Sequence, residues 1–206
     1  MKKIHKNVLD FSELWTKVGA ISGMIGFIVF ILFTGTAISM VPGYDIINQF
    51  FSDLGSGGIA APIYNSGLMI AGIFFAIFFL GLHVYLKKYL AMEKKDPLFV
   101  KVAIFLGILS AISLIGVGIL PSSYSYLAHM TPTVAFFGLA GLSIIMLSIY
   151  LYSHDKPMAF LGLVIFFVDI AFALYINPVI QKLAVFLISL WFFVMGVRMY
   201  FFSKNS

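Results

Sequence analysis

The sequence predicts an all-α fold, a polytopic integral membrane protein with six transmembrane helices in one bundle. A short amphipathic helix is expected in the first extracytoplasmic loop. Three observations carry this. Only 10% of the 206 residues are charged, 62% are hydrophobic, and the mean hydropathy is +1.07. A soluble domain has roughly a quarter charged and about half apolar residues, so an ordinary soluble enzyme and a disordered chain are excluded. Six apolar runs cover about 14–40, 65–86, 98–120, 128–152, 159–176 and 179–202, and roughly 20 residues suffice to cross a bilayer. The breakers Pro42-Gly43, Pro97, Pro121, Pro157 and Asn177-Pro178 fall between the runs. Lipid cannot satisfy an open backbone and no period-two alternation suggests a barrel, so each run is read as a helix. Residues 1–206 are expected to form a single transmembrane domain.

The first run follows Lys2, Lys3 and Lys6, the charge order of a signal peptide. A cleavable signal has an apolar core of only about 7–15 residues, so this longer run is read as a retained span. Orientation follows from the bases. Lys2, Lys3, Lys6, Lys17, Lys87, Lys88, Lys94, Lys95, Lys101, Lys156, Arg198 and Lys204 fall on one face, 12 of 13, leaving only Lys182 opposite. Short loops rich in Lys and Arg stay in the cytoplasm. A plasma-membrane protein with both termini cytoplasmic is therefore expected, and the basic charge needs no nucleic-acid partner. Expected partners are membrane lipids and other membrane-protein subunits. Small residues such as Gly19 and Gly23, or Gly138 and Gly141, are read as close helix packing inside the chain.

The first outer loop, 41–64, is the one long connection. Placed on a helix at about 100° per residue, Ile46, Ile47, Phe50, Phe51 and Leu54 share one arc and Asp45, Asn48, Gln49, Ser52 and Asp53 the other. Asp45 suits an N-cap and Gly55 a left-handed helix terminus. Asn65 is read as a cap of the second span in preference to an inward-pointing group.

Polar groups within the apolar runs point to function. Asp169 lies mid-way along the fifth span, where a carboxylate costs about 2.5–3.5 kcal/mol on insertion scales. It is a candidate site residue or a structural carboxyl bonded to a neighbouring Ser or Thr, and Lys182 is a possible ion-pair partner. His129 opens the fourth span, with Pro132 read as part of its first turn, on the face that carries Asp45, Ser52 and Asp53. Two carboxylates and a His suit acid–base or metal chemistry, yet no HExxH spacing exists, and the same residues suit capping and interfacial hydrogen bonds. His83 and His129 fall at opposite faces, against a bis-His haem. No cysteine is present, and no cofactor is expected.

Tyr44-Asp-Ile-Ile-Asn48-Gln-Phe-Phe-Ser52-Asp53-Leu54-Gly55, then Asn65-x-Gly67 and Gly72, resembles the domain of unknown function 998 membrane family. That resemblance implies a prokaryotic six-helix protein with a Ser-(Asp/Glu)-Leu-Gly signature, and a Gly-x-Phe-Pro turn with a nearby His, matched by Gly118-Ile-Leu-Pro121 and His129. Leu120 stands where the family has Phe. Ser52-Asp53-Leu54-Gly55 is also similar to the Ser-Asp-Thr-Gly loop of the DRAM and Sfk-type membrane proteins, which implies a link to lipid handling.

Three functions stay open. The first is a non-catalytic structural, accessory or lipid-organising protein, with a polar outer cluster of Asp45, Asn48, Ser52, Asp53 and Asn65. The second is a lipid-directed hydrolase or transferase, with Asp53 and His129 as acid–base or metal groups, Ser52 as nucleophile or positioning hydroxyl and Asp169 as a deeper carboxylate. The third is a small transporter with Asp169 as ion site.

Overall fold

Each apolar run folds as an α-helix: α1 Lys2–Ser39, α2 Ala61–Tyr89, α3 Pro97–Ile119, α4 Tyr126–Leu151, α5 Lys156–Leu174 and α6 Pro178–Lys204. The computed structural model describes residues 2–89 and 97–204. The expected bases Lys94 and Lys95 lie outside the described residues. All six helices are long and apolar enough to cross a membrane, so the chain is a multi-pass membrane protein. Local chemistry sets the ends. Ser125 accepts the Ala128 N–H at 3.3 Å and Asp155 the Met158 N–H at 3.2 Å. Asn177 accepts from Val179 at 2.9 Å ahead of α6, whose first residue is Pro178. Tyr175 is extended, so α5 stops at Leu174, two residues before the expected 176.

Consecutive helices pack side by side, and α6 returns to α1, closing the ring. The seams use small residues, as lipid-embedded helices require. A Cβ on Gly19 would strike the Gly81 backbone, and one on Gly196 would meet the Ala20 carbonyl at 2.5 Å. Between α2 and α6 sits an aromatic cluster. Phe75 and Phe192 lie 4.3 Å apart and Phe78 and Phe192 5.3 Å, with Trp191 fully buried beside them. Such ring pairs add about 0.5–1.5 kcal/mol each beyond area burial.

The segment 40–60 differs from its expectation. No continuous helix runs from Asp45 to Leu54. Residues 46–48 form a turn and only Phe51–Gly55 forms a 3-10 helix. The reason is local competition for the backbone. Asp45 Oδ1 accepts the Ile47 and Asn48 N–H groups at 2.8 and 3.1 Å, and Gln49 Oε1 accepts the Asp45 N–H at 2.8 Å. The apolar arc thereby splits. Ile46 and Ile47 point outward, 58% and 63% exposed, while Phe51 packs on Phe30 and Leu54 is buried.

Two further expectations fail in the same region. Gly55 does not have a left-handed backbone; Gly43 and Gly58 do, at φ 79° and 72°. Gly55 is needed for space, because a Cβ there would fall on the Asn65 side-chain oxygen. Asn65 is not a cap either. It lies inside α2 and donates from Nδ2 to the Gly55 carbonyl at 3.1 Å.

Candidate functional site

The α4–α5 seam is tight at one end and open at the other. The buried side chains of α5 are Met158, Ala159, Gly162, Ile165 and Asp169, one stripe at helical spacing. Gly162 rides against Ser148 and Ile144, and Gly141 against the Asp169 carboxyl, with no room for a Cβ at either glycine. Beyond Asp169 the stripe ends. There α4 and α5 meet through the rings of Phe137 and Phe172, 4.7 Å apart, and both helices line a cavity of about 640 Å³. Its walls are apolar, among them Met130, Phe137, Phe166 and Phe172. Val134 and Leu142 line it while 62% and 49% exposed, so the cavity is a groove open sideways at the depth of the spans.

One end of the groove is polar. Phe50, Ser52 and Asp53 come from the long loop, Ser122 from the α3–α4 turn, His129 from α4 and Gln181 from α6. Backbone groups hold Asp53, Gln181 and His129, and a side-chain hydroxyl holds Ser122. Asp53 Oδ2 accepts the Phe50 N–H at 2.7 Å and Gln181 Oε1 the Phe51 N–H at 3.2 Å. Ser56 and Ser122 share a 2.5 Å hydrogen bond that ties the loop to the α3–α4 turn. His129 Nδ1 lies 2.7 Å from the Leu120 carbonyl. A carbonyl only accepts, so Nδ1 carries a proton. In the neutral ring Nε2 is then an acceptor.

Of the sequence-predicted site residues, Ser52, Asp53, His129 and Asp169 line this groove, whereas Asp45, Asn48 and Asn65 do not. They are not one constellation. Gly141, which packs on Asp169, lies about 18 Å further along α4 than His129 at 1.5 Å per residue. Asp169 is therefore the floor of the groove, and Ser52, Asp53 and His129 are its mouth. Lys182 does not pair with Asp169. It donates to the Gln49 and Pro178 carbonyls and sits 5.6 Å from the Phe51 ring centre. Among the described residues, no group of three His, Asp or Glu side chains comes together to hold a metal ion. Asp45 spends its carboxylate on its own turn. Hydrogen bonds from the Asn48 side chain and from the Ile47 and Asn48 backbone hold it below the usual carboxylate range. Tyr44, whose hydroxyl donates to the Phe50 carbonyl at 3.0 Å, is pushed up to about 12 by burial and by the charges of Asp53 and Asp45.

The family described as Protein of unknown function (DUF998) matches residues 24–198, most of the chain. The chain belongs to the DUF998 family. Neither a curated protein nor a solved structure matches it. Of the residues that carry the resemblance to DUF998, Ser52, Asp53 and His129 line the groove mouth, whereas Leu54, Gly55 and Asn65 do not. Asp53 closes the 3-10 helix, Leu54 is buried, Gly55 receives Asn65, and the residue before Pro121 offers its carbonyl to His129.

Sequence reasoning missed several parts of this DUF998 site. Gln181 stands within an apolar run, the same signal that singled out its neighbour Lys182. Ser56, Ser122 and Ser125 have no sequence signal beyond lying near turns. Pro132 was expected in the first turn of its helix, but α4 starts at Tyr126, so Pro132 lies inside it and cannot donate to the Ala128 carbonyl.

Proposed function

We propose that this protein is a non-catalytic lipid-binding membrane protein. It takes a membrane amphiphile sideways into the α4–α5 groove. The headgroup rests among Ser52, Asp53, His129 and Gln181, and the chains lie along the apolar walls. The observation that supports this reading is the groove itself: about 640 Å³, apolar along its walls, open on its side and polar at the loop end. Ligand sites combine mostly apolar linings with a few convergent polar groups. The mouth offers both kinds of hydrogen-bonding group. Gln181 keeps its Nε2 donors while its oxygen is engaged, and Asp53 keeps one carboxylate oxygen. The groove mouth faces the outer leaflet of the plasma membrane, and both termini are cytoplasmic. The support is that 12 of 13 bases fall to the opposite end.

Gly138 supplies the test. It lines the groove and nothing lies within 4 Å of where its Cβ would stand, so Gly138→Phe starts from open space and puts a ring into the groove. Native mass spectrometry of protein released from lipid nanodiscs should find lipid retained by the wild type and lost from Gly138→Phe, at equal melting temperature. Equal lipid retention by the two proteins contradicts the reading. Chemical conversion of the retained lipid that depends on Asp53 and His129 would make the protein a lipid-directed hydrolase or transferase instead.

A further inference from the structure

Among the described residues, Asp169 is the one carboxylate placed mid-span away from the chain ends, and it is 7% exposed. Its buried Oδ1 has no hydrogen-bond partner, no protein group among the described residues is bonded to the other oxygen, and the residue lines the groove. A buried polar atom without a partner is costly, and such groups in lipid mark sites by default. The molecule holds this carboxyl in place. Gly141 leaves the space that its other oxygen occupies, and any larger residue there would collide with it. Lys182, the one base at this end of the bundle among the described residues, is engaged with loop and helix carbonyls.

We infer that Asp169 is a depth anchor for the groove's ligand, and that the ligand is a two-headed amphiphile. Its headgroup sits at the mouth, and a hydrogen-bond donor on its apolar portion, a hydroxyl or an amine, reaches the Asp169 carboxyl. The donor lies about 18 Å from the headgroup, the rise along α4 between His129 and Gly141. This assignment rests on the lipid-groove reading and names the class of ligand within it. A lipid with plain hydrocarbon chains leaves the carboxyl unpartnered; one with a terminal donor gives it a partner. Phe166, three residues before Asp169 on α5, and Phe137 on α4 keep the surroundings apolar, where a single hydrogen bond discriminates most strongly.

The test uses three probes of equal length: hexadecylphosphocholine and its ω-hydroxy and ω-amino analogues. Binding is measured by native mass spectrometry on the full-length protein in detergent, with melting temperature as the folding control. The ω-hydroxy probe should bind the wild type about tenfold tighter than the plain chain, one hydrogen bond's worth. Asp169→Ala should abolish that gain, so that the hydroxy and plain probes bind the variant equally. Asp169→Asn keeps a carbonyl oxygen and the size of the side chain. It should retain the gain for the hydroxyl probe and reduce that of the amino probe's ammonium form, which loses its ion pair, so the pair separates the two donor sources. Equal affinity of all three probes for the wild type overturns the Asp169 assignment alone. Failure of every probe to bind overturns the lipid-groove reading and the assignment with it.

Discussion

Gly55 and Asn65 fix each other, and through them the loop is fixed to α2. The Asn65 amide donates to the Gly55 carbonyl, and its oxygen occupies the place of a Gly55 Cβ. Asn65→Ala should lower stability by about 1–3 kcal/mol, the cost of an orphaned polar group. Gly55→Ala should cost a similar amount, about 1–3 kcal/mol, by overpacking. Combining the two should cost less than their sum, because Ala at 65 removes the atom that Ala at 55 strikes. Unfolding of the three variants in mixed micelles checks this, and strict additivity would contradict the contact. Neither role was legible in the sequence. A glycine after an amphipathic segment suggests a left-handed turn, and an Asn ahead of an apolar run suggests a cap; contact between residues ten apart in the chain leaves no periodic trace. Asp45 also gives a pH prediction. Its folded value is lowered, so the stability of its turn is present above the ordinary carboxylate value of 3.8 and is lost as pH falls through the folded value. The carboxyl carbon resonance of Asp45 should titrate below 3.8, and a midpoint at or above it would contradict the hydrogen bonds assigned to it.

At the scale of elements, the six spans were legible because length and hydropathy are local properties, and lipid leaves helix as the only state for them. The loop helix was not. Its apolar spacing fits a helix perfectly well on paper, but Asp45 and Gln49 bond the backbone of their own turn and break it. The packing of small residues was partly legible. Gly19 and Gly81 bring α1 and α2 into backbone contact, whereas Gly35 on the same α1 has nothing within 4 Å. Gly81→Leu should therefore abolish the folded state on gel filtration. Gly35→Ala should be neutral or stabilising by about 0.5–1 kcal/mol through helix propensity. Equal behaviour of the two variants would contradict the α1–α2 seam. Gly141→Ala tests the α4–α5 seam in the same way and should displace the Asp169 carboxyl.

At the scale of the whole molecule, the groove was invisible to the sequence, although four of its lining residues were singled out as polar groups in apolar surroundings. The missing information was geometric: α5 has a buried stripe that ends at Asp169, and a cavity opens where the stripe stops. The same geometry separates Asp169 from the mouth and argues against one shared reaction centre. Topology is open to a clean test, because the chain has no cysteine. Cysteine at the exposed Ile59 should react with an impermeant maleimide added to intact cells, and cysteine at Lys156 should react only after lysis. The reverse pattern would invert the proposed orientation.

Photolabelling with a lipid that carries a diazirine on its acyl chain reads the central claim most directly. Adducts mapped by peptide mass spectrometry should concentrate on Val134, Phe137 and Ile170 and disappear in Gly138→Phe. Adducts spread evenly over lipid-facing positions of the other helices, such as Ile28 and Phe105, and unchanged by Gly138→Phe, would show that no lipid occupies the groove.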